Sequence, residues 1–189
     1  MTANRPGGLY AVVIGCLILV GVSIDQITKA LAVARLTPGR PVPLVGDVLQ
    51  LSLFRNPGAS FSMGAGLTVV FALLAVAVLV GTLVWVAPKV RCVSWALAVG
   101  LGMAGVAGNL VDRLARHPGP FRGYVVDFLA LKYFAVFNVA DVLLTTAAVL
   151  IVVLTVFLRR DFDGRPVGPA TKPVAAQQGD AQQEGDEPC

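Results

Sequence analysis

Four stretches without a charged residue dominate this chain: Gly8–Ile24, Leu67–Ala87, Val93–Leu110 and Val142–Leu158, of 17, 21, 18 and 17 residues. A bilayer's hydrocarbon core is about 30 Å thick, and an α-helix crosses it in ~20 residues, with a workable range of roughly 17 to 25. Each run therefore predicts one spanning helix. Strands crossing lipid would need a closed barrel and an alternating pattern, which these runs lack. Composition agrees: 56% of the 189 residues are hydrophobic, 14% are charged, and the mean hydropathy is +0.77. That is too little charge to clothe a water-facing surface. The expected class is an α-helical integral membrane protein. A scattered net charge of +4 argues against a nucleic-acid partner. Cys16, Cys92 and Cys189 stand in no metal-ligand or CxxC spacing.

The first run is too long for a signal peptide and has no small-residue cleavage site after it. Val13-Ile14-Gly15-Cys16 loosely resembles a lipobox, but only a short apolar stretch precedes Cys16, which reads better as a small buried hydrophobe. Between the spans lie residues 25–66, 88–92 and 111–138, so the two long loops share one side and the termini share the other with the short loop. Lys and Arg number seven on the terminal side and eight on the other, which makes the positive-inside rule nearly silent. The pairs Lys89/Arg91 and Arg159/Arg160 at span ends lean towards cytoplasmic termini. Residues 48–54 alternate as a short strand would. Ile27–Leu36 either extends the first helix or lies along the interface. Residues 1–160 form the membrane domain, and 161–189, rich in Pro, Gly and Gln, read as a disordered cytoplasmic tail. In the third span Gly100, Ala104 and Gly108 repeat every four residues, which lets helix backbones approach closely.

Loop parity gathers the polar residues on one side. Asp25 ends the first span, Asn56 and Ser60 lie in the first long loop, and Asn109, Asp112 and Arg113 end the third span. Asp127 lies in the second long loop, and Asn138 and Asp141 open the fourth span. Ionisable groups near a bilayer are costly, so this one-sided gathering marks a functional site. Each residue also has a plain structural reading. Asp25 and Lys29 are spaced to pair on a helix surface, and Asn138-Val-Ala-Asp141 has the form of a capping box. Asp127 resists dismissal, because Tyr124-Val-Val-Asp127-Phe-Leu is an apolar stretch in which an unpaired carboxylate is expensive. Were Asp127 and Asp141 to meet, repulsion and desolvation would keep one protonated while the other acted as base, a pair suited to activating water against a peptide bond. The spacing alone leaves open whether they meet. A serine nucleophile at Ser60 with His117 as base is a weaker reading, since the GxSxG elbow is missing. A single histidine excludes a multi-histidine metal site.

The blocks Asp25-Gln-Ile-Thr-Lys29, Asn56-Pro-Gly-Ala-Ser-Phe-Ser62, Gly108-Asn-Leu-Val-Asp-Arg113, Val125-Val-Asp-Phe128 and Phe137-Asn-Val-Ala-Asp141 stand in an order that closely resembles the lipoprotein signal peptidases (signal peptidase II), bacterial membrane aspartic peptidases. The resemblance implies four transmembrane helices with a small extracytoplasmic β-cradle, cytoplasmic termini, and an active site on the outer face of the bacterial cytoplasmic membrane. It implies cleavage of diacylglyceryl-modified prolipoproteins just before the lipidated cysteine, with prolipoproteins and membrane lipids as the partners. The catalytic pair falls on Asp127 and Asp141. Substrate-binding or supporting positions fall on Asp25, Asn56, Asn109, Asp112, Arg113, Asn138 and Ala140, with Asp112 and Arg113 expected to pair. Neither a metal nor an organic cofactor is implied. A competing reading, a small transporter or scaffold subunit using its aspartates for proton coupling or helix pairing, is disfavoured because no charged path runs through the spans.

Overall fold

The structure, a computed structural model, describes residues 7–57 and 68–168. Ser60 and Cys189 therefore lie outside the described residues, as does most of the proposed tail. Four helices are long and apolar enough to cross a membrane, and the protein is a multi-pass membrane protein. Helix α1 runs Gly7–Arg35 without a break, so the segment expected at Ile27–Leu36 extends the first helix as far as Arg35. At about 1.5 Å per residue, its 29 residues outreach the hydrocarbon layer, and its last turns stand at or above the headgroups. Helix α2 spans Thr68–Gly81 and continues through a π-type turn, Thr82–Val86, and a 3-10 turn, Ala87–Lys89. Helix α3 covers Val93–Ala115, and α4 covers Val139–Val152 with a π-type continuation, Val153–Phe157.

Helix α3 is the hub, touching each of the other three. Half of its most apolar window is buried, against 6% for α2, which faces outward along most of its length. The small residues of α3 make that centrality possible. A Cβ added at Gly100 would sit 2.6 Å from Leu17 Cδ1, and one at Gly105 would sit 2.5 Å from the Ala140 carbonyl oxygen. The large side chains exposed on the helices, such as Leu19, Leu74 and Val149, are apolar, as a lipid-facing surface requires. Cys16 departs from expectation: it lies exposed on α1 among these groups rather than buried.

Above the bundle sits an antiparallel sheet in the order β1-β2-β3-β4, with β1 Val42–Val45, β2 Leu49–Asn56, β3 Val125–Leu131 and β4 Val136–Phe137. Strand β2 is the one expected at 48–54, shifted slightly towards the C-terminus. In the β2–β3 register Phe54 faces Asp127, Arg55 faces Val126 and Asn56 faces Val125. Alternation then puts Asp127 on one face of the sheet and Val126 and Phe128 on the other. β4 runs straight into Asn138 and α4.

Residues 161–168, expected to belong to a disordered tail, are ordered. Residues 161–168 fold back: Arg160 bridges Pro166, Phe162 stacks at 4.6 Å on Trp95, and the Arg91 N–H donates to the Phe162 carbonyl at 2.9 Å. Burial of an aromatic side chain outweighs the polar character of the segment.

Candidate active site

The sheet lies over one end of the bundle, where the last turns of α1 and α3 meet the first turn of α4. Asn138 is the N-cap of α4. Its side-chain oxygen accepts the Asp141 N–H at 3.1 Å, and Asp141 Oδ2 accepts the Asn138 N–H at 3.1 Å. The capping box read from the sequence is thus present, and it orients two site residues at once. Because Asn138 Oδ1 is taken by a backbone N–H, the amide cannot flip, and its Nδ2 must be the donating end. That nitrogen donates to Asp127 Oδ1 at 2.6 Å and to Asn109 Oδ1 at 3.2 Å. Asn56, across the sheet, donates to Asp127 Oδ2 at 3.1 Å.

Asn109 is oriented by the same logic. Lys29 Nζ, which only donates, reaches Asn109 Oδ1 at 2.9 Å. Asn109 Nδ2 is left to donate to Asp141 Oδ1, also at 2.9 Å. The two carboxylates are therefore joined through two amides whose directions are dictated from behind. Both line a cavity of about 280 Å³ with Asn56, Asn109, Arg113, Val125 and residues of β4. Asp127 is 2% exposed. Burial, above all, pushes its carboxyl up to about 6, the Asn138 and Asn56 hydrogen bonds pull it down, the Asp141 charge pushes it up and Lys29 pulls it down.

Behind the cavity lies a fully buried ionic cluster. Lys29 Nζ is 2.8 Å from Asp25 Oδ2 and 2.9 Å from Asp112 Oδ2. Asp25 Oδ1 accepts the Ala140 N–H at 2.9 Å, which ties α1 to the start of α4. Ala140 itself is fully buried, and a Cβ added at Gly108 would lie 3.2 Å from that of Ala140 and 2.7 Å from Asp25 Oδ2, so both positions require small residues. Gln26 Nε2 adds bonds to Asp25, Asp112 and the Gly108 carbonyl. A buried charge survives only when paired and hydrogen-bonded, and each one here is.

Two expectations change. Asp25 and Lys29 do pair, but in the interior rather than on a helix surface. Asp112 and Arg113 do not pair: Asp112 Oδ1 takes Arg116 Nε at 2.6 Å, while Arg113 lines the cavity and donates to the Gly123 carbonyl at 3.5 Å. Consecutive helical residues point in different directions, whereas residues four apart share a face. Lys29 is the residue that sequence reasoning undervalued. Its spacing from Asp25 was visible, but its reach to α3 was not. His117 lines a different cavity, with Arg55, Arg116 and Tyr124.

A four-span bundle with two amide-linked carboxylates on one cavity defines a membrane protein equipped for acid–base chemistry at the edge of the bilayer. A sequence model of the family described as signal peptidase (SPase) II matches residues 17–157. The lipoprotein signal peptidase of Mycobacterium avium (strain 104) is 48% identical over 141 residues, covering 75% of this chain and 76% of that protein. That of Mycolicibacterium smegmatis is 47% identical over 140 residues, covering 74% of this chain and 59% of its own length. A solved bacterial membrane enzyme shares the fold with a TM-score of 0.64 at 23% identity, covering 82% of this chain and 97% of its own. The chain belongs to the signal peptidase II family, and its class is that of a peptidase.

Proposed function

We propose that this protein removes signal peptides from diacylglyceryl-modified prolipoproteins, cutting just before the lipidated cysteine, by an aspartic mechanism centred on Asp127 and Asp141. The observation that carries the reading is the amide-linked approach of the two carboxylates to one cavity, with Asp127 pushed up to about 6 by burial. The substrate's apolar signal helix occupies the lipid-facing side of the bundle, and the β-cradle covers the scissile bond. Asp127 holds a proton and Asp141 takes one from the attacking water. As the water oxygen bonds to the carbonyl carbon, Asp127 gives its proton to the carbonyl oxygen. Collapse breaks the C–N bond, the cysteine amine leaves with the proton held by Asp141, and the oxygen's proton returns to Asp127. Asn138 and Asn109 keep the dyad aligned, Asn56 holds Asp127 and meets substrate backbone, and Arg113 offers donors to substrate carbonyls. Asp25, Asp112 and Ala140 position α4. The termini lie in the cytoplasm and the site on the outer face of the cytoplasmic membrane.

The test offers purified protein in liposomes a lipobox peptide with and without diacylglyceryl on its cysteine. Cleavage of the lipidated peptide alone, immediately before the cysteine, is expected. A folded wild type that cuts neither peptide overturns the reading and favours the transporter or scaffold alternative; cleavage that survives both Asp127→Asn and Asp141→Asn overturns the dyad.

A further inference from the structure

On the face of the sheet turned away from the dyad, two cavities lie side by side. One, of about 210 Å³, is lined by Arg55, Arg116, His117 and Tyr124, with Val33 and Val126. The other, of about 360 Å³, is mostly apolar: Leu31, Ala32, Leu36, Leu51 and Phe128 line it, together with Thr28 and Arg35 of α1. Val33 and Ala32 are neighbours on α1, and Val126 and Phe128 stand two apart on one face of β3, so the cavities adjoin.

The first cavity gathers two guanidiniums, an imidazole and a phenol, and no carboxylate lines either cavity among the described residues. Asp112 engages Arg116 through Nε, but its oxygens are also taken by Lys29, Gln26 and the Val126 N–H. Arg55 is exposed, and its side chain has no ion-pair or hydrogen-bond partner among the described residues. Such a set of donors fits an anion with several acceptor oxygens.

The height of the pair says where that anion comes from. Gly8 shares a cleft with Pro88 and Arg91 at the opposite membrane surface. Counting about 1.5 Å per residue up α1 from there, roughly 30 Å of hydrocarbon is crossed by the neighbourhood of Thr28. The apolar cavity, bounded by Thr28 to Leu36, thus stands where acyl chains give way to headgroups, and the cationic one lies beside it. We propose that this rear face of the sheet binds one anionic phospholipid, its phosphate held by Arg55, Arg116 and His117 and the upper part of a chain lying in the groove beside Leu31 and Phe128. The site is distinct from the substrate cavity and does not depend on the peptidase reading.

The test titrates delipidated full-length protein in detergent with phosphatidylglycerol or phosphatidylcholine of identical chains, counting bound lipid by native mass spectrometry. Expected is one phosphatidylglycerol held roughly tenfold more tightly than phosphatidylcholine, the yield of one or two charge-assisted hydrogen bonds. Arg55→Gln with His117→Gln should abolish that preference while thermal unfolding stays at the wild-type temperature. Lys89→Gln with Arg91→Gln, an equal loss of charge or more at the other membrane surface, should preserve it. Absence of a preference, its survival in the first variant or its loss in the second overturns the proposal. So does inorganic phosphate at millimolar concentration displacing the lipid completely, which would make the groove irrelevant.

Discussion

Near the chain termini the bundle is held by a purely apolar cluster: Tyr10 and Ile14 of α1 and Leu154 beyond α4 pack around Trp95, Val99 and Met103 of α3. At the other end of the same helices, and on β3 above them, Asp25, Lys29, Asp112, Asp127 and Asn138 are equally buried, and each is tied by directed bonds. Packing tolerates a flaw: Trp95 Nε1 is buried without a partner among the described residues. The polar end shows no such orphan there. Dispersion and burial are non-directional and degrade by increments, whereas a charge network out of water fails as a unit. The apolar end therefore supplies stability, and the polar end supplies orientation.

The largest effect expected at the polar end comes from the dyad. Asp127→Asn and Asp141→Asn should each lower kcat by about 10³-fold or more with the fold retained, measured by lipopeptide cleavage alongside circular dichroism. Next is Lys29→Met, which strips the cation from two buried carboxylates and frees the Asn109 amide. A loss of about 3–5 kcal/mol in stability is expected, with cleavage lost even in the folded fraction. Leu154→Ala probes the other end: about 2–4 kcal/mol of stability should go, but the kcat of folded molecules should stay at the wild-type value. If Leu154→Ala lowered kcat as much as Lys29→Met does, the division of labour between the two ends would be wrong.

A subtler contrast is in pH. Asp127 is pushed from about 3.8 to about 6 on folding, so the native state binds its proton more tightly than the unfolded state. Stability from this group is present below pH ~4 and is lost as pH rises to ~6, by up to about 3 kcal/mol. Asp127→Asn should flatten that part of the profile in detergent unfolding experiments; an unchanged slope would remove Asp127 as its cause. The smallest effects belong to the C-terminal segment. Ending the chain after Gly168 should change nothing, while ending it after Arg160 uncovers Trp95 and should cost about 1 kcal/mol, read as a lower melting temperature.

Much of the site was legible in the sequence, for reasons that differ by residue. Loop parity assigned Asp25, Asn56, Asn109, Asp127 and Asp141 to one side, because a chain crossing a bilayer must alternate sides. The Asn138–Asp141 box was legible because capping is local, spanning a single turn. The partner of Asp112 was not: adjacency in sequence suggested Arg113, while helix rotation turned Asp112 towards Lys29 and Arg116 and Arg113 towards the cavity. Nor was the ordered turn at 161–168, whose composition is that of a free tail and whose single aromatic decides otherwise.

What the sequence determined by itself is what depends on composition over a window: four spans, their alternation, the short strand and the cap. Burying the bonds of a helix in lipid needs only a run of apolar residues, and no knowledge of neighbours enters. What the tertiary structure alone decided is which side chains meet. The reach of Lys29 across to α3, the two amides with fixed directions between Asp127 and Asp141, and the pairing of a cationic cavity with an apolar one behind the sheet all depend on how closely α1, α3 and α4 approach. That approach is set by missing side chains at Gly105 and Gly108, a few ångströms that no local pattern encodes.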